Sequence, residues 1–222
     1  MSPSPRTRVK RGAKRASYDE AVIHQILDDC LICHVGFTVA GEARVIPTAF
    51  LRIGNAIYLH GNRRNQMLNA LLDGQSACIS VMLLDGLVLA RSGMHTSANY
   101  RSVVLFGKAT EAEDKLACLN AFVDRLAPGR SADVRAPSKK ELAATLVIRI
   151  EIDDASAKVR TGPPVDDDAD YGLDVWAGVL PVHSGLGAPE PCPRLSADTG
   201  LPDYIKTALS VPAAPLPDAA SR

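Results

Sequence analysis

Apolar and polar positions along the chain change period several times, and each change marks an element. Val22, Ile23, Ile26, Leu27 and Cys30 fall on one side of a helical period, and Ser17 followed by Glu20 has capping-box spacing, so a first helix opens there. From residue 31 the pattern turns extended. Segments 31–38 (LICHVGFT), 43–53 (ARVIPTAFLRI) and 56–61 (AIYLHG) read as strands, broken at Gly41 and at Gly54-Asn55. Met67, Leu68, Leu71 and Leu72 line one side of a short helix over 64–73, stopped by Gly74. Strands 76–84 and 87–92 flank Asp85-Gly86, a pair suited to the positive φ angles of a type I′ hairpin turn. After a loop at 93–99, a strand runs from Tyr100 to Thr110, helices cover 113–127 and 138–144, and the alternating run 145–152 (TLVIRIEI) is the last strand.

Six to seven strands joined mostly by short turns, with a few peripheral helices, predict a mainly β fold of antiparallel barrel type. No Gly-x-Gly-x-x-Gly follows a strand, so a dinucleotide-binding βαβ unit has no support. Residues 1–16 are basic, without periodicity, and read as a disordered tail; 17–183 form the domain; 184–222 are a Pro- and Ala-rich extension.

Composition narrows the partners. Twenty-five Lys and Arg balance twenty-five Asp and Glu, so no overall field favours nucleic acid or a membrane surface. No run approaches the roughly 20 apolar residues that span a bilayer, and the basic start has no apolar core behind it. A cytoplasmic protein is the expectation, with its five cysteines reduced.

The richest chemistry lies at Tyr58-Leu59-His60-Gly61-Asn62-Arg63-Arg64-Asn65, where a strand ends, two arginines follow and a helix starts. Free N–H groups at a helix start and bidentate guanidinium donors bind phosphate, and Gly61 would let an anion approach the backbone. Ser97 to Val103 set polar groups along a strand, and Arg101 is the candidate to meet the electron-rich edge of a cofactor ring. Cys30-Leu31-Ile32-Cys33-His34 matches the pattern of covalent haem attachment, but it straddles a helix end and a strand in which Cys33 alternates as a core residue would. No second cysteine pair completes a zinc site, so no metal is expected. Neither a Gly-x-Ser-x-Gly elbow nor an acid–base pair singles itself out, and the catalytic residues stay unassigned. The run Asp166, Asp167, Asp168 and Asp170 reads as a solvated loop.

Five motifs in order resemble one family: Ile46-Pro47-Thr48, Tyr58-Leu59-His60-Gly61, Leu87 to Ser92, Asn99-Tyr100-Arg101-Ser102-Val103, and Trp176-Ala177-Gly178-Val179-Leu180-Pro181. Over residues 18–183 the chain is similar to the pyridoxamine 5′-phosphate oxidase-like, FMN-binding split-barrel proteins, in particular the branch with nitroimidazole-resistance and flavin-nucleotide-binding proteins. The resemblance implies a homodimer with one FMN, or FAD, in each of two clefts between subunits. Ile46, Pro47 and Thr48 would then line the flavin ring. His60, Gly61, Asn62, Arg63 and Arg64 would surround the phosphate and ribityl chain. Arg101 and Ser102, possibly given by the partner, would meet the pyrimidine edge, and Trp176 would flank the ring. The activity implied is a flavin-dependent oxidoreductase passing electrons from NAD(P)H to a small-molecule acceptor such as a nitro compound. Where the vitamin B6 oxidases carry arginines after their tryptophan, Trp176 is followed by Ala, Gly, Val, Leu and Pro, which argues against pyridoxamine phosphate as substrate. A non-catalytic flavin store and a haem-binding split barrel are the alternatives; in the latter His34, His60, His95 or His183 would be the axial ligand.

Overall fold

The structure, a computed structural model, describes residues 1–196 and 198–210. Its elements run β1 (Ala16–Ser17), α1 (Glu20–Asp29), β2 (Ile32–Val39), β3 (Glu42–Ala49), β4 (Leu51–Ile53), β5 (Ala56–Asn62), α2 (Gln66–Leu72), β6 (Ser76–Leu89), β7 (Ser97–Glu111), α3 (Lys115–Leu126), α4 (Arg130–Asp133), α5 (Lys139–Ala144), β8 (Thr145–Glu151), β9 (Asp154–Arg160), β10 (Gly178–Pro181) and α6 (Asp203–Ser210). The described strands form one antiparallel system, β3-β2-β6-β7-β8-β5-β4, with β9 on β7, β1 on β9 and β10 on β6.

Two features bend this ribbon into a split barrel. The first is Phe50, a buried residue between β3 and β4 whose N–H bonds to the Leu31 carbonyl, so one stretch of chain passes from one sheet to the other. The second is β7, whose Tyr100–Phe106 half pairs with β9 while Ala109–Glu111 pair with β8. Gly107 sits at the changeover. A Cβ there would collide with the Glu151 carbonyl oxygen and lie 2.8 Å from Ile150 Cγ2, so only glycine lets β8 cross β7 this closely.

The main core cluster joins strands and helices, and a smaller one of Ala112, Cys118 and Val147 lies beside it. Val35, Ile57, Leu59, Ile79, Leu105 and Ile148 from the strands meet Ile23 and Leu27 of α1 and Leu68 and Leu71 of α2. Each helix enters through a side-chain cap: Asp19 Oδ1 accepts from Ala21 N at 2.8 Å, and Asn65 Oδ1 from Leu68 N at 3.1 Å. Asp19 thus replaces Ser17 as the cap read from the sequence.

Several expectations need correcting. Asp85-Gly86 is not a hairpin turn. β6 runs on through it with a bulge between Leu84 and Gly86, and the reversal comes after Leu89. Gly86 lacks a positive φ; its missing side chain makes room for Val179 and Leu180 of β10. Strands β9 and β10 have no counterpart in the sequence reading. Nor do residues 1–15 trail away: Thr7 is buried, and Thr7 Oγ1 donates to Asp154 Oδ1 at 2.8 Å, with Ser4 bonded to the same carboxylate. In the C-terminal extension, Tyr204 of α6 donates to Asp133 at 2.8 Å and accepts from Arg130 at 3.0 Å. No helix among the described residues is long and apolar enough to cross a membrane.

Candidate functional site

The end of β5 is where the chemistry gathers. In the β4–β5 hairpin Leu51 pairs with Tyr58 and Ile53 with Ala56, and beyond it Ala49 and His60 line the same cavity. Alternation along β5 sends Ile57 and Leu59 into the core and Tyr58 and His60 to the opposite face. That second face is covered by the excursion between β7 and β8, which carries α3, α4 and α5.

Cover and sheet do not meet everywhere. Between them lies a cavity of about 580 Å³, within the roughly 300–1,000 Å³ usual for cofactor pockets. Its walls are mainly apolar, with Leu31 and Phe50 on one side and Leu119, Phe122, Val123 and Leu126 of α3 on the other. His60, Asn120, Arg125 and Arg135 are among its few polar groups. The His60 ring stands edge-on to Phe122, with centroids 4.3 Å apart and planes at 61°. Enclosure by protein atoms pushes the His60 pKa below its usual 6.5, so the imidazole is neutral at neutral pH. Neither ring nitrogen bonds to a described residue, leaving the lone pair open to the cavity.

The same hairpin links two of the expected flavin segments along the chain, although β3 pairs with β2 and β5 with β4 and β8. Ile46, Pro47 and Thr48 lie on β3, an edge strand, opposite Val35, His34 and Cys33. Past Phe50 the chain returns along β5 to His60, Gly61 and Asn62. Arg44 Nη1 donates to Gln66 Oε1 at 2.7 Å and ties β3 to the start of α2. Asn62 Oδ1 accepts from Arg64 N at 2.9 Å and shapes the turn between them. The two arginines differ. Arg63 pairs with Glu111 at 2.7 Å, whereas the Arg64 guanidinium has no partner among the described residues and lines a shallow groove with Thr38 and Asn69. Gly61 has a packing reason as well: a Cβ there would meet Leu68 Cδ1 at 3.2 Å and Asn65 Nδ2 at 3.4 Å, so glycine lets α2 come close.

Arg101, Ser102 and Trp176 are not brought to that place within the protomer. Arg101 is engaged by Asp85 and Asp29, with its side chain only 16% exposed. Its guanidinium belongs to an ion-pair triad rather than to an open cleft. Ser102 Oγ donates to the Lys158 carbonyl at 3.3 Å. Trp176 is 64% exposed and lies over Gly178, where β10 joins β6. On the outer face of the sheet, Val45, Met82, Leu84 and Val104 are exposed as well.

The remaining candidates resolve into structural roles. Cys33 and Cys30 are core residues whose thiols burial pushes up to about 12 and about 11, while His34 points outward, so the three cannot grip one haem edge. Asp166 is buried, against expectation. It accepts from Arg91 N at 2.9 Å and Arg91 Nη1 at 3.2 Å, pinning the loop after β6. His95, Asp166 and Asp170 come close enough to share a cation, yet Arg91 already neutralises Asp166. The sequence reading missed the cavity because its walls are distant in the chain. The apolar stripe of α3 was the available signal.

A family model described as pyridoxamine 5′-phosphate oxidase matches residues 19–159. No curated protein matches the chain significantly. Among solved structures, the flavocytochrome Anf3 from Azotobacter vinelandii is 42% identical, covering 93% of this chain and 98% of its own, with a TM-score of 0.88. The FAD and haem binding protein from Mycobacterium smegmatis is 37% identical, covering 88% and 97%, with a TM-score of 0.84. A candidate 5-nitroimidazole antibiotic resistance protein from Bacteroides thetaiotaomicron, 23% identical over 65% and 86% with a TM-score of 0.55, shares the fold.

Proposed function

Because the chain belongs to the pyridoxamine 5′-phosphate oxidase family, we propose that it is a flavin- and haem-binding redox protein working as a homodimer. The observation that carries this reading is near full-length similarity to two proteins described as a flavocytochrome and as an FAD and haem binding protein. The flavin supplies two-electron acceptance from a nicotinamide and release of single electrons, so hydride transfer asks no acid or base of the protein.

In this reading the flavin lies against β3 and the turn from Asn62 to Arg64 that follows β5. Ile46, Pro47 and Thr48 form a flat edge for the ring. Arg64, with Arg44 and Arg63 close by in the fold, offers guanidinium donors to phosphate. The apolar outer face with Val45, Met82 and Val104 is the surface that a second copy would cover. A partner would also have to supply whatever meets the pyrimidine edge, since Arg101 is engaged inside its own protomer. FMN suits a single phosphate site; FAD would extend along the groove that Arg64 lines. NADH or NADPH is the proposed electron source. Haem is favoured over a nitro compound as acceptor, because the nitroimidazole match speaks for the fold alone.

Flavin content tests the reading. Arg64→Ala should weaken FMN more than riboflavin, by about 1.5–3 kcal/mol for one charge-assisted contact. Equal loss of both ligands would place the phosphate elsewhere. A purified protein with no flavin, which also fails to take up FMN or FAD, would remove the proposal.

A further inference from the structure

We infer that the cavity between β5 and the α3–α5 cover is the haem site and that His60 supplies the iron's protein ligand. This rests on the reading that the chain takes haem, and it adds where the haem sits and how many ligands the protein gives.

The chemistry of the walls points to a metal macrocycle. An apolar pocket of about 580 Å³ would suit any flat hydrophobic molecule, but a fatty chain or plain aromatic needs no imidazole. His60 is a neutral imidazole, exposed as a residue, with neither nitrogen bonded to a described residue and with mainly apolar side chains around it. A haem iron is a centre that such an imidazole would ligate. Phe122 fixes the ring from its edge, a part that a hydrogen-bonding neighbour more often plays. Arg135, 73% exposed, and Arg125 give the wall positive charge for the two carboxylates of a haem, although Glu141 and the Asp28 and Cys30 carbonyls already hold part of their donors.

The other histidines lie elsewhere. His34 faces outward from β2, His95 stands beside Asp166, and His183 follows β10. Among the residues lining the cavity there is no second His and no Met or Cys. The iron would therefore have one protein ligand and one open position. A further consequence comes from alternation. His60 and Gly61 are neighbours on opposite faces of β5, so the haem would lie on the side of the strand away from α2, whose Leu68 meets Gly61.

Reconstitution with haemin provides the test. Wild-type protein should give a Soret band at one haem per chain and, once reduced, bind carbon monoxide at the open position. His60→Ala should lower haem retention at least tenfold, keep its flavin, and regain the band on adding imidazole. Because the alanine variant leaves a gap beside Phe122, His60→Met is the second arm, expected to shift the reduced spectrum by changing the donor atom. His34→Ala and His95→Ala should leave the spectrum unchanged. A wild-type protein that takes flavin but no haem would overturn both this inference and the two-cofactor reading. Haem bound with an unchanged spectrum in both His60 variants would overturn the His60 assignment alone. So would a wild-type iron with two protein ligands that refuses carbon monoxide.

Discussion

Arg101 grips Asp85 by both carboxylate oxygens, with Nε to Oδ2 and Nη2 to Oδ1 each at 3.0 Å. The bulge in β6 makes this possible. Asp85 is the residue skipped in the pairing with β7, and its side chain meets the guanidinium instead of water. Asp29, the last residue of α1, closes the triad from a third direction. Hydrogen bonds to the Asp85 and Asp29 carboxylates outweigh burial and hold the Arg101 pKa above its usual value.

Removing this arginine leaves two carboxylates facing each other. Arg101→Ala should cost roughly 2–4 kcal/mol in urea unfolding, somewhat below the roughly 3–5 of a fully buried pair because part of the site meets solvent. Arg101→Lys keeps the charge but loses the fork, and should recover only part of the loss. An alanine variant as stable as wild type would show that the triad contributes nothing to folding.

Gly107 and Gly93 make a matched pair. Gly107→Ala drives a Cβ into backbone, which cannot give as a side chain can, and should cost about 3 kcal/mol, the upper end for overpacking. Gly93 has open space around it and no positive φ, so Gly93→Ala should be neutral or stabilising by up to about 1 kcal/mol. Thermal melts of the two variants decide it, and similar melting temperatures would contradict the crossing at Gly107.

The N-terminal stretch hangs on one carboxylate. Burial alone would raise the Asp154 pKa, but bonds from Ser4 and Thr7 and the Arg6 charge bring it below 3.8. A lowered carboxylate stabilises the fold above its unfolded pKa and loses that effect as pH falls through the folded value. Docking should therefore hold at neutral pH and weaken below about pH 4, the ordinary carboxylate range, which amide exchange of residues 4–9 would follow. At neutral pH, Asp154→Ala should expose Arg6, Arg8, Lys10 and Arg11 to trypsin. Equal cleavage of wild type and variant would refute the anchor.

Cysteine reactivity should sort by burial. Cys192 is exposed and should react first with iodoacetamide; Cys30 and Cys33, with thiols pushed up to about 11 and about 12, should stay unlabelled until the protein unfolds. Peptide mass mapping with and without denaturant reads this directly. Early labelling of Cys33 would mean that the core cluster is looser than its burial implies.

How far the chain could be read in advance depended on whether the governing contact was local. The helices over 20–29, 66–72 and 115–126 carry their own apolar stripes and caps, and were legible within a few residues. Asp85-Gly86 misled because the local rule for that pair is a turn, whereas Arg101, sixteen residues later, and β10, almost a hundred residues later, decide its conformation. The packing of Gly61 on Leu68 of α2 was likewise beyond a local reading. At the site, motif order related Ile46–Thr48 to Asn62–Arg64 only along the chain, for β3 pairs with β2 and β5 with β4 and β8. The cavity could not be read in advance, because Leu31, Phe50, Phe122 and Arg135 come together only when the excursion folds back over β5.

That excursion leaves the barrel at Ala112 and rejoins it at Thr145, beside its point of departure, where Ala112 N bonds to the Val147 carbonyl at 3.0 Å. A module attached at two adjoining points can change length and lining while the framework beneath stays put. Evolution could thus retune what the chamber admits by editing roughly one stretch of sequence, leaving the core face of β5 and its packing on α2 untouched.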